Sequence, residues 1–319
     1  MLVSSDGSPV SVSNLPVTLN AVNGILANDS IVMMNGLAFG VYTITAAGSN
    51  SVTANAFGIE ETYTLSPDDV VSTDVIYVNS SSGSDSNSGG NWNNAVKSIE
   101  KALSIVDDGG TIYLADGLYT LSDSTPSTGI AVTKNVTIVG QSINSVITGN
   151  NAKRIFSIGV GNTLNITRLT LTNAYMTGSG QIYGGAILIE DGGNTNPVVA
   201  GKLIIADSII SNSYAPYGGA IGTNRGSIDN VENVTFVNNS AGSGGALYIQ
   251  STNSIFEIGD NCRFINNSAA GRGSAIYSQS KVITGRNNLF YGNNASGRYG
   301  YGAIFSYGFE LGTGNVFVD

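Results

Sequence analysis

The stretch SAGSGGALYIQ at residues 240–250 is one copy of a phrase that recurs through the second half of the chain. SYAPYGGAIGT at 213–223, SAAGRGSAIYSQ at 268–279 and YGYGAIFS at 299–306 carry the same small-residue corner followed by apolar positions. Two columns share the period. Ile210, Phe236, Phe264, Phe290 and Phe317 are spaced by 26, 28, 26 and 27 residues, and Ala220, Ala246, Ala275 and Ala303 by 26, 29 and 28. A constant period in two independent columns means stacked equivalent coils, since a single repeat has nothing against which to bury its apolar side. Each period holds three short apolar bursts, as in NVTFVNN, GGALYIQ and SIFEIGD. Three strands per coil give the triangular section of a parallel β-helix, in which equivalent residues lie about 4.8 Å apart.

The columns predict residue roles. The Phe column and the column Ile187, Ile221, Leu247, Ile276 and Ile304 are expected to face inward, like stacked on like. Asn173, Asn212, Asn238 and Asn266 follow two places after an apolar position. They are expected at a left-handed turn, each amide bonding to its copy one coil away, with Gly292 interrupting the ladder. The glycines ahead of the Ala column mark a corner of positive φ, where a Cβ is not tolerated.

Composition narrows the class. Forty-two glycines, only 11% charged residues and a 41% hydrophobic content among 319 residues favour short strands around a substantial core. A net charge of −9 leaves no basic stripe for phosphates, so nucleic acid is not an expected partner. Cys262 is the single cysteine, which removes any internal disulfide framework, and the absence of histidine removes a histidine acid or base. No run of 18 apolar residues exists, so direct membrane insertion of this segment is not expected. Eight N-x-Ser/Thr sequons, at Asn28, Asn79, Asn135, Asn165, Asn233, Asn238, Asn266 and Asn294, point to an exported, cell-surface or extracellular chain. MLVSSDGSPV lacks the pattern of a signal peptide, which makes a piece of a longer precursor the expectation.

Three regions are expected. Residues 1–70 hold alternating bursts PVTLNAV, GLAFGVYTIT, NSVTANAF and EETYTL, the strands of a small sandwich. The segment resembles the immunoglobulin-like repeats of bacterial and archaeal surface proteins, with its usual first strand missing; such modules space other domains from a cell surface. Residues 71–92 form a connecting strand and a polar loop. The DSNSGG part of that loop has the polar composition of a calcium site but few carboxylates and reads as plain loop, so no metal and no cofactor are expected. From 93 to 319 the chain reads as the coil stack, opened by a helix with Val96, Ile99, Leu103 and Val106 on one face, an N-cap at Asn93 or Asn94 and a stop at Gly109-Gly110. This entry resembles that of right-handed parallel β-helix proteins, whose amphipathic helix covers the open apolar end.

GGAI at 184–187 and 218–221, GGAL at 244–247, FVNN at 236–239 and FINN at 264–267 resemble the alternating GGA(I/L/V) and FxxN repeats of chlamydial polymorphic outer-membrane proteins. The combination with an immunoglobulin-like module, YLADGLYT and many sequons is similar to adhesin-like surface proteins of methanogenic archaea. GSAI, YGAI and FYGN depart from the pattern. The resemblance implies surface display and non-enzymatic adhesion to a polysaccharide, or to a cell-surface glycan or protein, without defining the ligand.

Candidate sites follow from the columns. Leu188, Gly222, Tyr248, Tyr277 and Phe305 stand one place after the inward column and are expected to point outward. Their aromatic members form either a platform for sugar rings, extended by Tyr183, Tyr217 and Tyr301, or an outer satellite core beneath long turns. A rival enzymatic reading, polysaccharide lyase or glycoside hydrolase, rests on acidic columns: Asp229 with Glu257, and Glu232 with Asp260 followed by Arg286. Carboxylates on adjacent coils would stand about 5–6 Å apart, near the spacing of a retaining glycosidase, unless a cation neutralises them. A third reading is a purely structural spacer. Cys262, in a column with Val234 and Asn288, is expected to be a buried side chain rather than a nucleophile.

Overall fold

The computed structural model describes residues 15–22, 24–26, 30–33, 42–44, 50–56, 59–65, 73–191, 200–250, 255–297 and 302–318. The chain divides into two compact units, Met1–Ser72 and Thr73–Asp319. In the first, Ser30–Met33, Leu15–Val22, Asn50–Ala56 and Ile59–Leu65 form an antiparallel sheet in that order, and Gly24–Leu26 pairs with Tyr42–Ile44. The alternation of apolar and polar residues in these segments is what a half-buried antiparallel strand requires.

The second unit is an all-β parallel solenoid. One coil runs from Ile221–Thr223 through Ser227–Glu232 and Thr235–Val237 to Ser240–Ser243, and the chain then returns to its starting sheet with Leu247–Ile249. Stacked coils build a seven-stranded glycine-corner sheet, an eight-stranded Phe sheet, and a long sheet of six strands followed by a separate group of three. A short fourth sheet joins Tyr214–Tyr217, Ser240–Ser243, Ser268–Ala269 and Asn294–Ala295. The expectation of three strands per coil holds for the earlier coils, such as Thr163–Thr167, Thr170–Thr172 and Ile187–Ile189, and is corrected from Tyr214 onward, where a fourth is added. After the left-handed Asn, the small Ser/Ala/Gly segment lies flat enough for the backbone to bond coil to coil, as in Ser240 N to Ser213 O at 2.9 Å.

The expected columns are in register. Ile210 pairs with Phe236, and Phe236, Phe264, Phe290 and Phe317 follow one another on successive rungs. Their rings stack at 4.9, 4.8 and 4.5 Å with interplanar angles of 12°, 2° and 3°. Ile187, Ile221, Leu247 and Ile276 also stack and are fully buried, while Ile304 is partly buried. Each buried Phe is worth roughly 1.5–3 kcal/mol in transfer free energy, and a stacked pair adds about 1 kcal/mol.

Two kinds of corner turn the coil. At the glycine corner, Gly218 and Gly244 have φ of +72° and +64°, and a Cβ on Gly245 would stand 2.0 Å from Ser274 O on the next coil. The first glycine supplies the conformation and the second permits the close approach. At the other corner Asn173, Asn212, Asn238 and Asn266 have φ of 50–55°, and Gly292 has +60°, so glycine here continues the turn. The amide ladder itself sits one residue later than expected. Asn239 Nδ2 donates to Asn267 Oδ1 at 3.1 Å, and Asn267 Nδ2 to Asn293 Oδ1 at 3.1 Å. The same carbonyls accept backbone N–H groups, and the same amides donate to Ile210 O and Phe236 O. Side chains at 239 and 267 point inward and satisfy backbone groups that the turn has left unpaired, which the exposed residues at 238 and 266 do not reach.

The helical entry is also shorter than expected. A 3-10 turn at Trp92–Asn94 is capped by Asn91, and the α-helix runs over Ile99–Ile105 with Ser98 as N-cap, its side chain accepting from Lys101 N. Asp85 interrupts the expected continuous helix by accepting Lys97 N and Ser98 N, both at 2.8 Å. Ile99, Ala102 and Leu103 are buried and belong to the same apolar core as the coil strands.

The two adjacent asparagines have separable roles. Asn267→Ala is expected to cost about 2–4 kcal/mol, because it strands buried backbone groups, whereas Asn266→Gly should change stability by under about 0.5 kcal/mol. Denaturant unfolding of both variants checks this; equal losses would contradict the assignment.

Candidate functional site

The aromatic column is built as its register demands. Leu188 pairs with Gly222, Gly222 with Tyr248, Tyr248 with Tyr277, and Tyr277 with Phe305. Tyr248 and Tyr277 stack at 4.6 Å and 5°, and Tyr277 and Phe305 at 5.1 Å and 13°. Gly222 brings no ring to its own rung. Tyr217 and Tyr183, from the glycine corners, fill that space, with centroids 4.9 and 5.6 Å from Tyr248.

Of the two arrangements expected for these aromatics, this packing is an outer satellite core rather than an open platform. Tyr183, Tyr248 and Tyr277 are only 8%, 6% and 8% exposed and form a small apolar cluster with Leu188, Tyr217 and Phe305 against it. Rungs about 4.8 Å apart bring aromatic rings face to face, so the faces of Tyr248 and Tyr277 are taken by their neighbours. No flat face is left on them for a sugar ring. Burial, then the neighbouring tyrosines, push the Tyr248 phenol well above its ordinary range. Tyr183 Oη donates to Gln250 Oε1 at 2.8 Å, and Tyr248 Oη contacts the same oxygen at 3.4 Å. Tyr301 lies outside the described residues.

A groove runs beside this ladder. It has a volume of about 350 Å³ and is lined by Tyr217, Tyr248, Tyr277, Ser243, Ala270, Gly271, Arg272 and Gly297. The short fourth sheet supplies the small residues along it, and Arg272 stands with its guanidinium 4.9 Å from the Phe305 ring centre. The corner carrying Tyr183 is held from behind by Arg154, a buried residue that donates to Gly184 O at 2.8 Å and Tyr183 O at 2.7 Å. Burial draws the Arg154 pKa down to about 10, against the opposing charge of Glu190. No column marks Arg154, and its place behind Tyr183 was not legible in the sequence.

The acidic columns take a different arrangement. A bulge between Leu203 and Ile204 leaves Asp229 as the extra residue of its strand, and Lys202 Nζ meets it at 2.5 Å. Asp229 also accepts a short hydrogen bond from Ser227. Burial works to raise its pKa, but the bonds from Lys202 and Ser227 and the Lys202 charge hold it below the usual range. Asp260 accepts Arg286 N at 2.7 Å and is gripped by Nε and Nη2 of the same residue at 3.1 and 2.9 Å, which also lowers it. Glu232 and Glu257 are exposed, and Glu257 is in register with Ile283. A general acid requires a raised carboxyl pKa; Asp229 and Asp260 are shifted the other way, each by a cation on an adjacent coil.

The polar entry loop uses its carboxylate structurally. Asp85 Oδ1 accepts the two backbone N–H groups ahead of the helix and Oδ2 accepts Ser98 Oγ. Among the described residues no cluster of three or more His, Cys, Asp or Glu side chains is placed to hold a metal. Cys262 is fully buried, with Sγ 3.3 Å from Val231 O, and burial raises its thiol to about 11.

Comparisons with known proteins give two kinds of likeness. Residues 233–250 and 261–279 match the Chlamydia polymorphic membrane protein repeat. These two matches cover successive copies of the Asn turn, short strand and glycine corner. No curated protein matches the chain significantly. Among solved structures, a PL6 family alginate lyase, AlyGC, aligns with 14% identity and a TM-score of 0.43 over 77% of this chain and 39% of its own. A rhamnogalacturonan lyase aligns with 15% identity and a TM-score of 0.40 over 75% of this chain and 62% of its own. The chain thus spans less than two thirds of either enzyme. Among the described residues no helix is long and apolar enough to cross a membrane.

The buried thiol gives a direct check of the packing. Native protein at about pH 8 should leave Cys262 unmodified by a thiol reagent, and unfolded chain should react fully. Prompt labelling of the native protein would place Cys262 outside the core.

Proposed function

We propose that this chain is part of a surface-displayed, adhesin-like protein that binds a glycan or a cell-surface partner through the groove beside the tyrosine ladder. The groove carries the reading: it joins a concave polar and small-residue floor to a rigid aromatic wall. The Chlamydia polymorphic membrane protein repeat match supports surface display. On this reading residues 1–70 are an immunoglobulin-like spacer, 71–92 a connection, and 93–319 the binding solenoid, with the helix Ile99–Ile105 covering its apolar end. The binding residues are Tyr217, Tyr248 and Tyr277, with Phe305 as their support.

The alternative, a polysaccharide lyase or glycosidase on the same scaffold, would draw on Asp229, Glu257, Glu232, Asp260 and Arg286. The ion pairs Lys202–Asp229 and Arg286–Asp260 weigh against it, because they consume the groups that proton transfer would need.

Ala270 is exposed at the groove and lies outside the core. Ala270→Trp should therefore fill the groove without unfolding the coil, and abolish retention on a panel of cell-wall polysaccharides and whole cells. Retention by a folded Ala270→Trp protein would sink the groove assignment, and shortened or unsaturated products from the wild-type chain would favour the enzyme.

A further inference from the structure

We infer that the outer face of the Phe sheet is a self-association surface, on which two copies of this chain pack face to face with their coil axes antiparallel. This is a different face from the groove, and the inference holds or fails independently of it.

Strand alternation gives the face its composition. While the central residue of each rung points into the core, the residues on either side of it point out. One outward column runs from Leu118 to Val316 and the other from Thr120 to Val318, in unbroken register over eight rungs. Of their sixteen side chains nine are apolar, six are Thr or Ser, and one, Arg263, is charged. Leu118, Tyr291, Val316 and Val318 are 42–59% exposed. The other faces are treated differently. The ion pairs Lys202–Asp229 and Lys281–Glu310 lie on the long sheet and its three-stranded group, and the glycine-corner sheet is covered by its tyrosine ladder.

Charge and shape point to a second copy as the occupant. Two chains of net charge −9 repel one another, and this is a face whose columns hold no acid. From the rung Ile209–Ser211 to the rung Leu289–Tyr291, the chain enters through two or four residues and leaves through two, turns too short to fold over the face. A flat apolar sheet packs against another at about 10 Å, and the chain's own face is such a sheet. Eight rungs span about 34 Å, and three strand residues with their turns about 15 Å, so contact covers roughly 500 Å² on each copy. The total of about 1,000 Å² is at the lower bound of specific interfaces, which makes the dimer a reversible one.

Arg263 sets the orientation. A two-fold axis along the coil stack would put Arg263 on Arg263, and directly opposed like charges destabilise. A two-fold axis along the strands sets the first rung against the eighth instead. Arg263 then faces Thr170, Val146 faces Leu289, and Ile209 faces Thr235 at the centre.

The test is sedimentation equilibrium of the full chain and of variants of verified fold, from about 1 to 200 μM. Thr235→Lys with Val237→Lys, at the centre of the face, should weaken the dimer at least about tenfold. Asn165→Lys with Asn230→Lys, the same change on the long sheet, should leave it unchanged, as should Phe309→Lys on the three-stranded group. Orientation is read with a bismaleimide spanning about 10 Å. Val146→Cys mixed with Leu289→Cys should cross-link and neither should do so alone, since the buried Cys262 does not compete. A monomer at every concentration overturns the inference. So does a dimer that survives the central lysine pair, or one that is lost with Phe309→Lys, because either places the contact elsewhere. Cross-linking of Val146→Cys to itself would overturn the antiparallel arrangement.

Discussion

The hydrogen bond between coils is the interaction on which everything else depends. Once each strand pairs in parallel with its copy one turn away, the nearest neighbour of nearly every side chain is its own equivalent, about 4.8 Å distant. That spacing suits stacked rings, interlocked aliphatics and amides that donate in one direction and accept in the other. It is hostile to like charges, which destabilise when directly opposed. The solenoid answers with alternation: Lys202 with Asp229, Asp260 with Arg286, and Lys281 with Glu310 each join residues of neighbouring coils. Asp229 and Asp260, which read as members of acidic columns in the sequence, each meet a cation of a neighbouring coil in three dimensions.

The period, the inward columns and the left-handed corners were legible because each leaves a mark on residue type: Phe236 over Phe264, Gly218 before Gly219, Asn238 two places past Phe236. The amide ladder was displaced by one because Asn238 and Asn239 are adjacent and identical in type, and only the direction of the side chain separates them. The same pair recasts the sequons. At 238–240 and 266–268 the motif Asn-Asn-Ser consists of a left-handed turn residue, a buried ladder residue and the first residue of the short strand. The coil geometry accounts for both without reference to glycosylation, which weakens sequon density as an argument for export. The short fourth strand left no apolar burst, since its bonds come from backbone in a small-residue stretch. The helix start was misplaced because Asp85 lies outside the helical window, yet takes the N–H groups of Lys97 and Ser98.

The register of the aromatic column was legible, and its exposure was not. Alternation places Tyr248 and Tyr277 away from the main core, but says nothing about what else comes to lie there. The deciding residue is Gly222, which leaves a rung without a side chain in the column, and the rings that enter it come from Tyr217 and Tyr183 at the preceding corners. Outward on a strand therefore does not mean open to solvent when the corners themselves carry aromatics.

This covering also decides what kind of recognition the wall would perform. A ring free to turn loses rotamer entropy when a ligand arrives, about 0.5–1.5 kcal/mol for an immobilised side chain. Tyr248 and Tyr277 have already lost it to the stack, so binding along their edges would carry little of that cost. The same fixity limits what they would bind, because edges and phenols repeated at the rise of the coil meet a ligand only where it, too, presents polar groups in succession. On the proposed reading, a chain of linked sugars meets that requirement and an apolar ligand does not.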